Sequence, residues 1–229
     1  MSDLTFRVLD ITPDRYAMTP VLNARVRIEE STGVTVHAMA LRCQVRIDPQ
    51  RRTYDDDEGD GLSDLFGPRE RWSTTLKPFL WMHTTAMVSG FTGATEVDVA
   101  LPCTYDFEVA AAKYLHAVRR GHIPLSLMWS GTVFTRGATD FQVGQIPWSC
   151  DADYRMPAAT WREAMDAFFP ASAWIRVPAT TLDALQRWKS DRGLPTWEEA
   201  FSVLLDPDRP GPGAADSGQG MRPAGATTP

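Results

Sequence analysis

One stretch constrains the fold more than any other: Thr104 to Phe134, TYDFEVAAAKYLHAVRRGHIPLSLMWSGTVF. Its spacing predicts one helix, a tight stop and one buried strand. Thr104 is an N-cap type, and Asp106 and Glu108 put negative charge in the first turn, where the helix dipole favours it. Phe107, Ala111, Tyr114, Leu115 and Val118 then recur at helical spacing and make one apolar stripe over about residues 105–120. Ala110, Ala111 and Ala112 keep that side thin enough for a sheet to approach. Arg119 and Arg120 suit a C-terminal turn, and Gly121 suits a left-handed stop. Leu125, Leu127 and Trp129 alternate with Ser126, Met128 and Ser130, which is strand spacing. This is a packing element without evident chemistry.

The strands before it follow the same logic. Leu4, Phe6 and Val8 predict a short edge strand. Leu22, Ala24, Val26 and Ile28 alternate with polar residues, so one side is buried and one is wet. Glu30-Ser31-Thr32-Gly33 reads as a turn into a second strand, so that the two make an antiparallel hairpin. In that second strand Val34, Val36, Ala38 and Ala40 hold one phase, and Leu41, Cys43, Val45 and Ile47 hold the other. A bulge between Ala40 and Leu41 is expected to keep both halves on the core. Residues 49–71 read as polar and irregular, with at most one helical turn at Leu62, Leu65 and Phe66. Pro78 confines a strand there to an edge or to its start. Thr95, Val97, Val99 and Leu101 form another half-buried strand, and Phe141, Val143 and Gln145 begin a last one. From Pro157 the pattern turns helical. Trp161, Met165 and Phe168 make one stripe, Leu182, Leu185 and Trp188 a second, and Trp197, Phe201, Leu204 and Leu205 a third. Residues 207–229 hold almost nothing to bury and read as a disordered tail. The fold class expected is α+β. A β-rich domain over 1–150 carries the central helix as an antiparallel, sandwich-like sheet, and a helical subdomain over 151–206 packs on it.

Charge and composition then narrow the function. A net charge of −6 and a pI near 5.2 speak against a nucleic-acid partner. No apolar run is long enough to insert in a membrane, and the N-terminus is not a secretory leader, so the expected location is cytoplasmic. The three cysteines, Cys43, Cys103 and Cys150, are too few and too scattered for a disulfide scaffold. Buried free thiols are their plain reading; the alternative is a metal-binding or small-ligand protein whose Cys/His site is formed by folding, joining them to His83 or using His37. His116 is placed on the wet side of the central helix, His122 after its stop, and His83 is expected to be buried among aromatics. The acidic run Asp55 to Gly61 resembles a calcium loop only in part, because Gly67 stands where the bidentate glutamate belongs. It reads as a solvated loop. No phosphate-binding glycine loop and no Gly-x-Ser-x-Gly is present. No cofactor is expected, and an enzyme is disfavoured. Eight tryptophans are the more informative feature. Trp72, Phe79, Trp81, Trp174, Trp188 and Trp197 are the candidate binding residues, since large aromatics serve either as core or as interface anchors.

Several longer stretches carry a resemblance. LNARVRIEE, ALRCQVRI, DLFG, TLKPFLW, GFTG, CTYDFEVAAAKYL, GHIPLSLMWSGTVF, QIPW and LPTWEEA, spread over about residues 5–205, resemble an actinobacterial family. That family is associated with gene neighbourhoods of high-affinity uptake nickel–iron hydrogenases. No catalytic residue follows from the resemblance. It implies a non-enzymatic accessory role, in assembly or electron-transfer partnering, with a hydrogenase subunit as protein partner.

Overall fold

The computed structural model describes residues 3–104, 109–136, 141–147, 149–170, 175 and 177–206. The expected helix start at 105–108, Trp174 and the expected tail at 207–229 lie outside the described residues. The chain divides into two compact units, 1–175 and 176–229.

The first unit is a sandwich of two antiparallel sheets, an α+β arrangement of the expected class. β1 (Leu4–Pro13), β2 (Val21–Glu30) and β5 (Ala94–Pro102) form one sheet in the order β1-β2-β5. The second sheet runs β4 (Phe79–Phe91), β3 (Val36–Ile47), β6 (His122–Arg136), β7 (Phe141–Gln145). β8 (Asp151–Pro157) pairs with the first half of β6, and β7 with its last part. Leu22, Ala24, Val26 and Ile28 are fully buried on one side of β2, and Leu125, Leu127 and Trp129 on one side of β6. Between the sheets Phe6 stacks on Trp129, ring centroids 5.2 Å apart.

Strand pairing differs from the expectation in one important place. β2 and β3 are not a hairpin. β2 pairs with β1 and β5, while β3 pairs with β4 and β6, so the turn after Glu30 crosses from one sheet to the other. Alternation tells that a strand is half-buried; it does not tell which neighbour it takes. Glu30 holds the crossing. Its carboxylate is buried and accepts bonds from the Thr32 hydroxyl and from the Asp3 and Val34 N–H groups at 2.5–3.3 Å. Burial alone would raise its pKa, but the bonds from Thr32, Asp3 and Val34 outweigh it and hold it below the usual range.

The phase break in β3 also lies elsewhere. Met39, Leu41, Cys43, Val45 and Ile47 share the core side, and the register to β6 shifts between Val36 and Ala38. The bulge is therefore at His37 rather than at 40/41. Near Leu41 it is β6 that adapts. Gly131 takes φ 133°, and a Cβ there would overlap the carbonyl oxygen of Ala40. β8 was not expected, although buried Ala152 and Met156 alternate with exposed Asp151, Asp153 and Arg155.

Residues 49–75 are more ordered than their composition suggests. A 3-10 turn (Pro49–Arg51) leads to α1 (Asp56–Phe66), and a second (Arg69–Arg71) leads to the short α2 (Trp72–Thr75). The acidic run is the start of α1. Asp55 caps it by accepting from the Glu58 N–H at 2.8 Å, and Asp56, Asp57 and Glu58 fill the first turn. Gly59 is where the Arg69 guanidinium lies; that guanidinium bonds Asp56 and the Asp55 carbonyl.

α3 (Ala110–Ala117) buries Ala111, Ala112, Tyr114 and Leu115 and leaves His116 exposed, which is the expected phase. Its end comes earlier than Arg120. Val118 is already extended, and the buried Glu58 carboxylate accepts the N–H groups of Arg119 and Arg120 at 3.0 and 3.3 Å. Those donors have a side-chain partner, so the helix need not run on to Gly121. Glu58 also pairs with Arg52 at 2.6 Å, both side chains almost wholly buried. α4 (Ala158–Phe168) buries Trp161, Ala164 and Met165, so β8 and α4 lie within the first unit. No helix among the described residues is long and apolar enough to cross a membrane.

Candidate interaction surface

The second unit contains α5 (Ala179–Asp191) and α6 (Trp197–Leu205). Gly193 stops α5, its N–H bonded to the Ser190 carbonyl. Thr196 then caps α6, its hydroxyl accepting from the Glu199 N–H at 3.1 Å. Glu198 and Glu199 occupy the first turn, where the dipole favours them. A well-capped helix is therefore set at Trp197.

What distinguishes α6 is where its apolar residues point. Only Ala200 is buried. Trp197 is 37% exposed, Phe201 40%, Leu204 43% and Leu205 87%. Trp197, Phe201 and Leu204 stand at i, i+4 and i+7 and so line up along one side over two turns. The Trp197 and Phe201 rings stack with centroids 5.8 Å apart. The Lys189 ammonium sits 5.8 Å from the Trp197 ring and bonds the Pro195 carbonyl, fixing the start of the stripe against α5. On α5 no residue is buried; Leu182 is exposed and Trp188 half-covered by the Arg192 guanidinium at 4.5 Å.

The other candidate binding aromatics fall in a different setting. Trp72 and Phe79 are half-buried against the core of the first unit, in a ring cluster with Tyr54, Phe66 and Tyr114. The Trp72 indole donates to the Gly67 carbonyl at 2.8 Å, and the Tyr54 and Tyr114 hydroxyls meet at 2.8 Å. Burial pushes the Tyr114 hydroxyl up to about 12. Trp81 packs on the core where the β3–β4 register shifts.

The alternative metal residues do not converge. Among the described residues no group of three or more His, Cys, Asp or Glu could hold a metal ion. Cys43 is buried on β3, Cys103 bonds the Leu101 carbonyl after β5, and Cys150 bonds the Leu4 carbonyl. Burial pushes the Cys43 and Cys103 thiols up to about 12, so both stay protonated and unreactive at neutral pH. His83 is exposed on β4 opposite Gln44, not buried among aromatics. Its segment is an edge strand, and alternation places residue 83 on the side away from Met82. His37 and His122 are exposed as well.

The periodicity of α6 was visible in the sequence, but it reads as a core stripe.

Residues 1–212 match the model of a family of unknown function, DUF6084. The chain belongs to this family. No curated protein matches the DUF6084 chain in sequence. Among solved structures it is similar to a β-glucosidase from Kluyveromyces marxianus, at 8% identity and TM-score 0.28, over 68% of this chain and 15% of that one. It is also similar to the CARDB domain of a Pyrococcus furiosus protein in complex with di-metal ions, at 11% identity and TM-score 0.27, over 68% of this chain and 92% of that domain. A third is β-glucosidase 3B from Thermotoga neapolitana in complex with α-D-glucose, at 11% identity and TM-score 0.24, over 67% of this chain and 17% of that one. The DUF6084 chain thus spans less than a fifth of either glucosidase. Likenesses this slight bear on no function.

Proposed function

We propose that this DUF6084 protein is a non-enzymatic accessory protein that binds another protein. The observation that supports it is the exposed stripe of Trp197, Phe201 and Leu204 on a capped helix. Aromatic side chains held half out of water on a rigid element are what interface hot spots are made of. The motif resemblance supplies the partner to test: a subunit of an uptake nickel–iron hydrogenase or of its electron-transfer chain, met in the cytoplasm during assembly or operation. The test is reciprocal capture. The full chain carries an affinity tag in the native host under conditions that induce the hydrogenase. Hydrogenase subunits retained on the tagged chain, and the chain retained on a tagged subunit, are the expected result. Retention of neither, with both proteins present and folded, overturns the hydrogenase assignment.

A further inference from the structure

We infer that α6 is a ready-made ligand for a groove: its partner presents an apolar channel rimmed by Lys and Arg, into which Trp197, Phe201 and Leu204 insert. This rests on the binding-protein reading and specifies how the binding is done.

Three observations carry it. The first is spacing. Anchors at i, i+4 and i+7 cover two turns, about 10 Å along the axis at 1.5 Å per residue, which is the pattern of a helix lying in a groove. The second is preorganisation. The Thr196 cap, the Trp197–Phe201 stack and the Lys189 ammonium hold the anchors before any partner arrives. Little ordering cost is then left for binding.

The third is charge, and it selects the occupant. α6 carries Glu198 and Glu199 and no basic residue, and Asp206 follows it. Glu198 is exposed and precedes Phe201 by three residues, so it flanks the stripe. A second copy of the chain would bring another helix of the same acidic charge, in a molecule of net charge −6. Like charges across an interface are strongly disfavoured. A basic rim satisfies them.

The test uses the full chain in the native host, with the photo-crosslinker p-benzoyl-phenylalanine placed at position 201, 204 or, as a control on the exposed side of α5, 186. Crosslinks are expected from 201 and 204 but not from 186. The crosslinked peptide should map to an apolar groove with Lys or Arg at its rim. Phe201→Ala should weaken capture of the crosslinked protein roughly thirtyfold, the range of a hot-spot anchor. Glu198→Lys should weaken it less and remove its salt dependence. Crosslinking between two copies, equal crosslinking from 186, or a partner site without basic residues overturns the inference. If wild-type capture persists while 201 and 204 do not crosslink, the groove is wrong and the binding-protein reading stands. If nothing is captured at all, both fall.

Discussion

The two units of this chain use apolar residues in opposite ways. In the first, the β-sandwich, a core of large side chains is closed to water: Trp129, Trp161, Tyr114, Leu22, Ile28 and Leu127 are all at or below 2% exposure, although Tyr16, Met18 and Met87 stay outside it. The outward side of β2 and β5 carries ion pairs such as Arg25–Asp98 and Arg27–Glu96. In the second, α5 buries nothing and α6 only Ala200, while Trp197, Phe201, Leu204 and Leu205 stay in contact with water. The same residue types thus stabilise one unit and advertise the other. Burial of apolar area is the main favourable term in folding, at about 25 cal/mol per Å². Stability should therefore respond to changes in the sandwich and hardly at all to changes on the α6 stripe, and binding should do the reverse.

The sharpest test of the first half of that contrast is Trp129→Ala. It removes the ring that stacks on Phe6 at the centre of the sandwich and should cost about 3–5 kcal/mol in chemical denaturation. Glu58→Ala should come close, at about 3 kcal/mol, because it strands the buried Arg52 guanidinium and two backbone N–H groups after α3. Glu58→Ala with a loss under 0.5 kcal/mol would mean that the 49–75 segment is decoration rather than part of the core.

Much of this contrast was legible in the residues, and the parts that were not have physical reasons. Period-two alternation located β2, β5 and β6 and their buried sides, and the buried side of β3 from Leu41 on, since one face of each meets the core. Alternation is silent about partners, so β2 and β3 looked like a hairpin although they belong to different sheets. α1 was hidden by its own acidic start, which reads as a solvated loop, and its Gly59 leaves the space that the Arg69 guanidinium fills. The early end of α3 depends on Glu58, 61 residues before the amide it accepts. At the candidate site the helix, its cap and its stripe were all readable. Whether a stripe faces a core or a solvent depends on what else packs there, which no local pattern contains.

Glu30 gives an intermediate effect with a pH signature. It ties the sheet-to-sheet crossing, so Glu30→Ala should cost about 1–3 kcal/mol, the range for losing hydrogen bonds to a charged group. Its folded pKa is depressed below the ordinary value of about 4.3 for an unfolded glutamate. The stability it contributes is therefore fully present above that value and is lost as pH falls through the lower folded pKa. Unfolding followed from pH 7 down to pH 2 should show a shallower acid limb in Glu30→Gln than in the wild type. Identical limbs would show that the crossing does not depend on an ionised carboxylate.

The smallest expected effect on stability is the one on which the comparison turns. Phe201→Ala and Leu204→Ala remove side chains that are already about 40% exposed. The area they return to water is a fraction of what Trp129 returns, and they strand no polar group. The loss for each should be under about 1 kcal/mol, and the melting temperature should stay close to that of the wild type. The same two changes should abolish most partner capture, whereas Trp72→Ala should do the opposite. Trp72 is tied into the ring cluster by its bond to Gly67, so its loss should destabilise the fold and leave capture by the remaining folded protein intact. Denaturation midpoints and capture measured side by side on these three variants separate the two roles. A Phe201→Ala protein that melts many degrees lower would put the α6 stripe in a core, and the distinction between the units would collapse.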